Sequence, residues 1–211
     1  VTVTSGACTA NPASTTVVVN GPATPIGVVA SAITSTSVSV TWTPASCAAA
    51  YDVYRNSGSG FVKIGSSGTT GYTDSTVAAN TSYLYAVKAI DAGAFQSNLS
   101  APDLATTILF TDPTITSEST LVKTVHITEL RSAIAAVRTL AGLGSVSYTD
   151  PTLTPGVTTP KPAHITELRS ALDAARSALS LPAISYTDPT ITAGTTVIQA
   201  AHVNNLRDGA W

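Results

Sequence analysis

The octapeptide HITELRSA occurs twice in this chain, at His126 to Ala133 and again at His164 to Ala171. It brings an imidazole, a carboxylate and a guanidinium together, the side chains of acid–base catalysis and of metal binding. His126 with Glu129, and His164 with Glu167, stand one helical turn apart, as the ligands of carboxylate-bridged metal sites do. A third copy, AHVNNLRDGA, keeps His202 and Arg207 but has Asn205 where the others have glutamate, and no cysteine lies in this half. The metal reading breaks on that copy. A different set repeats without exception. Asp112, Asp150 and Asp188, in FTDPTIT, YTDPTLT and YTDPTIT, are 38 residues apart, each followed 14 residues later by His126, His164 or His202 and five further on by Arg131, Arg169 or Arg207. An aspartate before proline favours a turn and can accept N–H groups or an arginine fork. The nine residues therefore read as a structural clamp in which the early-helix His and the following Arg bond to the aspartate and to adjacent backbone, locking each loop to its helix.

Other chemistry is not legible. No D-x-D-x-D-G loop accompanies the aspartates, and there is no nucleophile elbow, Gly-rich phosphate loop or paired-carboxylate site. The expectation is a non-enzymatic protein without a cofactor.

The histidines need helices to hold them. Ile127, Leu130, Ile134, Val137 and Ala141 follow 3,4,3,4 spacing, and Ile165, Leu168, Leu172, Ala175 and Leu179 repeat it. Pro162 suits a first helical turn and Gly142 a left-handed C-terminal position. The pattern predicts helices beginning near Thr124, Pro162 and Ala200. A unit of this length buries its apolar stripe only against neighbours, so residues 109–211 read as three stacked 38-residue helical repeats, the third truncated at Trp211.

The first half has the other periodicity. SVSVTWT (Ser37 to Thr43) alternates polar and apolar residues, with Trp42 as a core anchor, and AYDVYRN, FVKIGSS and SYLYAVKAI continue the pattern between short turn segments. That is the spacing of a β-sandwich. Cys8 and Cys47 lack C-x-x-C spacing and a nearby histidine, leaving a disulfide or two inert thiols. A bridge between them would stabilise the chain by roughly 4 kcal/mol in the chain-entropy model.

The order of these elements, with Trp42, YDVYR, YTD at Tyr72 to Asp74 and NTSYLYAVKAID, resembles a fibronectin type III domain over residues 25–108. The resemblance implies that Tyr83 forms a tyrosine corner, its phenol bonded to nearby backbone, and that the domain is a spacer or binding module. Residues 1–24 resemble the closing hairpin of a bacterial immunoglobulin-like repeat. The TDP…HITELR segment resembles a tail found on large secreted bacterial proteins, and more weakly S-layer homology repeats. The fold class expected is thus α+β and multidomain: an Ig-like or fibronectin III β-sandwich followed by a small α-helical repeat domain.

Charged residues make up 10% of the chain against roughly 25% in an average soluble protein. A net charge of −2 with no basic cluster argues against nucleic acid, and no apolar run reaches the ~20 residues of a membrane span. The composition points to an extracellular or cell-surface location. The leading functional expectation is a non-catalytic structural or adhesion protein, a stalk, anchor or filament subunit assembling head to tail. Its interface would use Val1, Val3, Val17 and Val19 of the leading strands (Val1 to Thr4, Thr15 to Val19) and Trp211, partnering copies of itself or neighbouring domains of a larger protein. The alternative is a carbohydrate or cell-wall binding accessory module of a secreted enzyme, with Tyr148, Tyr186 and Trp211 as candidate aromatic contacts to cell-wall polysaccharide.

Overall fold

The computed structural model describes residues 21–116 and 121–211, with the backbone of two short antiparallel strands in the leading segment, β1 (Thr4–Ser5) and β2 (Cys8–Thr9). Val1, Val3, Val17 and Val19, and the side chain of Cys8, lie outside the described residues. Cys47 is disulfide-bonded.

The sandwich is built from β3 (Ile26–Thr34), β4 (Ser37–Thr43), β5 (Ala50–Asn56), β6 (Phe61–Ser67), β7 (Gly71–Asp74), β8 (Ser82–Ile90) and β9 (Asp103–Thr106). One antiparallel sheet runs β3-β4-β7 and the other β6-β5-β8-β9. Alternation sorts the side chains. On β4, Val38, Val40 and Trp42 point inward, and Trp42 meets Tyr51 edge to face, with ring centroids 5.3 Å apart. Burying side chains of this size contributes roughly 1.5–3 kcal/mol each. Tyr83 is buried, and its phenol oxygen accepts the Ala78 N–H at 2.9 Å.

One strand breaks the alternation for a reason found in the second half. Along β8, Tyr83, Tyr85, Val87 and Ala89 enter the sandwich core, while Leu84, on the opposite face, is also buried. Leu84 pairs across the ladder with Leu104 of β9, and both belong to the core formed by three helices. The helices are α1 (Thr124–Leu140), α2 (Pro162–Ala178) and α3 (Ala200–Ala210). They start where the sequence pattern places them. Ile127, Leu130, Ile134 and Val137 of α1 and Ile165, Leu168 and Leu172 of α2 are fully buried, as the 3,4 spacing requires. The end of α3 is tied to the sandwich by a 2.5 Å bond from the Thr106 hydroxyl to the Ala210 carbonyl.

The helices do not form an open row. Each packs against both of the others, so the units close on themselves. This departs from the nearest-neighbour stack expected of a repeat, because α1 and α3 both rest on the sheet as well as on α2, which brings the first and last units together.

Candidate functional site

Each histidine is the third residue of its helix. At that position a side chain can reach back to the otherwise unpartnered N–H of the residue before the helix. Nδ1 of His126, His164 and His202 accepts the backbone N–H of Lys123, Lys161 and Gln199 at 3.2, 3.1 and 3.1 Å. Because Nδ1 accepts, the proton of the neutral ring sits on Nε2. Nε2 then donates to the aspartate of the same unit: His126 to Asp112 at 2.8 Å, His164 to Asp150 at 3.1 Å and His202 to Asp188 at 3.0 Å. All three imidazoles are fully buried.

Lys123 and Lys161 add an ion pair to the first two aspartates, at 2.8 and 2.6 Å. Hydrogen bonds from Lys123 and then His126 hold the Asp112 carboxyl down at about 2. Lys161 and His164 depress Asp150 in the same way. Asp150 and Asp188 also sit at φ 50° and 49°, a left-handed region that aspartate tolerates better than most residues.

The arginines act differently from the expectation. They bond to backbone carbonyls, the backbone part of the expectation, but on the loop of another unit rather than on their own, and not to the aspartate carboxylates. Arg131 of α1 donates to the Asp150 and Thr149 carbonyls at 2.9 and 2.8 Å, and Arg169 of α2 to the Asp188 and Thr187 carbonyls at 2.7 and 2.6 Å. Arg207 of α3 donates back to the Asp112 carbonyl at 2.6 Å. The clamp is therefore a cycle, with each helix holding the next unit's loop and the last holding the first. The reason is geometric: a long guanidinium two turns into a helix overshoots its own loop, which the histidine already holds, and reaches the neighbouring one. Each guanidinium also lies over the aromatic residue that opens the loop it grips, Tyr148, Tyr186 or Phe110, at 4.5, 4.4 and 4.2 Å from the ring centroid.

A further set was missed by the sequence reading. Glu129 accepts from the backbone N–H of Thr111 at 2.8 Å and from its hydroxyl, and Glu167 accepts from the Thr149 N–H at 3.0 Å. Asn205, the residue on which the metal reading breaks, accepts from the Thr187 N–H at 2.7 Å through its side-chain oxygen. The requirement is an acceptor, not a charge. The signal was available, since each acceptor follows its threonine by 18 residues. Arg138 and Arg176 join the helices directly, donating to the Ala171 and Gly209 carbonyls at 3.2 and 2.6 Å.

Among the described residues no group of three or more His, Cys, Asp or Glu side chains could hold a metal ion. Both ring nitrogens of each His bond to protein partners, and Glu129 gives Oε1 to Thr111 while its buried Oε2 lies 3.6 Å from Arg207 without a hydrogen bond. Trp211 stacks edge-on against Phe110, with ring centroids 6.2 Å apart.

The sandwich has its own charged node. Asp74, 1% exposed, accepts from Arg55 at 2.7 Å, the Tyr85 hydroxyl at 2.9 Å, and the Thr76 N–H and hydroxyl at 2.9 and 2.7 Å. Burial works to raise its pKa, but the donors from Thr76, Arg55 and Tyr85 outweigh it, and the carboxyl lies below its usual range. This node pins β7 to β5 and β8.

No family model matches the chain. It is 46% identical over 83 residues to a poly(3-hydroxybutyrate) depolymerase of Ralstonia pickettii, covering 39% of this chain and 16% of the relative. It is 38% identical over 98 residues to exoglucanase B of Cellulomonas fimi (45% and 8%), and 39% identical over 89 residues to an alpha-amylase of Niallia circulans (41% and 7%). The chain thus spans less than a fifth of the length of these relatives. Among solved structures, it is similar to an Fn3-like protein from Clostridium thermocellum, at 31% identity over 41% of this chain and 93% of that one, with a TM-score of 0.38. It is also similar to a human fibronectin type III domain, at 25% identity over 42% and 87%, with a TM-score of 0.36. These structural neighbours are fibronectin type III domains, matched over about two fifths of the chain. No helix of the described residues is long and apolar enough to cross a membrane.

Proposed function

We propose that this chain is a non-catalytic, extracellular accessory module that holds a polymer-degrading enzyme on its polysaccharide substrate. One observation carries the reading. Three relatives named for three different reactions each share with this chain a stretch of 83 to 98 residues, about the length of its sandwich, at 38–46% identity. Matches covering less than a fifth of a depolymerase, an exoglucanase and an amylase do not point to the chemistry that distinguishes them. Two of the three are named for glucans, which favours polysaccharide over other polymers. The polar groups described above are consistent with this role, since the clustered His, Asp, Arg and Glu side chains bond mainly to one another and to backbone.

The head-to-tail filament expectation loses part of its motive. It rested partly on a third helical unit awaiting completion by a neighbour, whereas Arg207 already closes that unit onto the first. The test is depletion of the purified 211-residue chain from solution by microcrystalline cellulose, granular starch and poly(3-hydroxybutyrate) granules. Depletion by at least one polysaccharide is expected. Recovery of all the protein in the supernatant with every polymer would sink the proposal.

A further inference from the structure

The threefold arrangement makes one spot comparable across the units, the position four residues after each clamp arginine. There the helix faces the aromatic ring that the arginine covers. Just past the end of α3 that position is Trp211, whose ring lies at 87° to Phe110. On α2 it is Asp173, which accepts the Tyr186 hydroxyl at 2.7 Å. On α1 it is Ala135, an exposed residue too short to reach Tyr148. The slot filled by an indole in one unit and by a carboxylate in the next is open in the remaining one. A groove of about 530 Å³ occupies it, lined by Thr128, Arg131, Ser132, Ala135, Val146 and Tyr148 among others. A second hollow of about 200 Å³ adjoins it, sharing Ala135, Val146 and Tyr148.

We infer that this groove at the junction of the first and second repeat units binds one pyranose ring of a neutral glucan, an inference that rests on the polysaccharide-module reading above. The occupants of the two equivalent slots show what fits. An aromatic ring fits edge to face against the loop's ring, and an oxygen acceptor fits opposite the phenol hydroxyl. A pyranose offers both, an apolar C–H face and a rim of hydroxyl oxygens. The hydroxyls of Thr128 and Ser132 donate to the helix carbonyls of Thr124 and Thr128, so their lone pairs are left to accept sugar O–H groups. The arginines do not make an anion site. Arg131 spends both terminal nitrogens on the Asp150 and Thr149 carbonyls, and Arg138 spends its donors on Gly144 and Ala171. No carboxylate lines the groove to repel or select by charge.

The experiment uses the full chain and two soluble probes, cellohexaose and maltohexaose, followed by backbone NMR shifts. Saturable shifts centred on Ala135, Val146 and Tyr148 with at least one probe are expected. Ala135→Asp and Ala135→Trp copy the residues of the other two units at an exposed position, so they leave the fold intact. Each should weaken binding by about tenfold or more, the loss of one hydrogen bond or of the contact face. Asp173→Ala should open a second groove and raise the bound stoichiometry from one toward two. Binding that is unchanged in both Ala135 variants, or shifts that map to the sandwich, overturn the groove while leaving the module reading intact. Retained depletion by polysaccharide without oligosaccharide binding does the same. Failure of depletion and oligosaccharide binding together overturns both.

Discussion

Arg207 donates to the carbonyl of Asp112, 95 residues earlier in the chain, at 2.6 Å. That bond joins the last helix to the first loop and turns a run of repeats into a closed unit. Arg207 is 4% exposed, covers Phe110 and lies 3.6 Å from Glu129.

Arg207→Ala should therefore cost about 2–4 kcal/mol, summing a charge-assisted hydrogen bond and a desolvated cation–π contact. Arg207→Lys should recover less than half of that, because an ammonium lacks the planar fork. Urea unfolding followed by helical circular dichroism measures both. A lysine variant as stable as the parent would show that charge alone closes the ring.

The histidines should all carry their proton on Nε2, with Nδ1 unprotonated. Nitrogen chemical shifts of the imidazoles test this directly, and an Nδ1–H tautomer at any of the three would contradict the cap geometry. His126→Gln keeps an acceptor for the Lys123 N–H and should cost less than His126→Ala. The latter loses the cap and leaves a cavity, at about 3 kcal/mol.

Asp112 gives a pH dependence with a definite sign. Its folded pKa, about 2, lies below the ordinary value of 3.8, so the unfolded chain binds the proton more readily. Its contribution is fully present above the ordinary value and is lost as the pH falls through about 2. Carboxyl carbon titration should place Asp112 near 2 in the native chain, and Lys123→Ala should move it upward. An Asp112 midpoint unchanged in that variant would refute the assigned cause.

Asn205→Glu should be tolerated within about 1 kcal/mol, since the position needs only an acceptor for the Thr187 N–H and the first two units use glutamate there. Asn205→Leu removes the acceptor and should cost about 1–2 kcal/mol. Thermal unfolding of the two variants separates these outcomes.

Much of the fold was legible from periodicity. The alternation around Trp42 located β4, and the position of Pro162 located the start of α2, because both are set by neighbours in sequence. The destination of Arg131, Arg169 and Arg207 was not legible. A 38-residue period is compatible with an open row or a closed triangle, and only tertiary packing decides between them. The role shared by Glu129, Glu167 and Asn205 was not seen because the copies were compared as metal ligands, while the loop N–H requires only a lone pair. Leu84 was hidden by the ordinary rule for a sandwich strand, one face in and one face out. The nearly unbroken apolar run from Tyr83 to Ala89 was the clue that both faces are covered.

Leu84 and Leu104 have a mechanical consequence. Their outer face of the four-stranded sheet is the floor on which α1 and α3 sit, so the junction near residue 108 is a seam inside one hydrophobic core and not a hinge between beads. Tension applied along the chain would meet the sandwich and the helical ring as one stiff body. A sandwich cut free at that seam would carry a bare leucine patch and tend to adhere to itself.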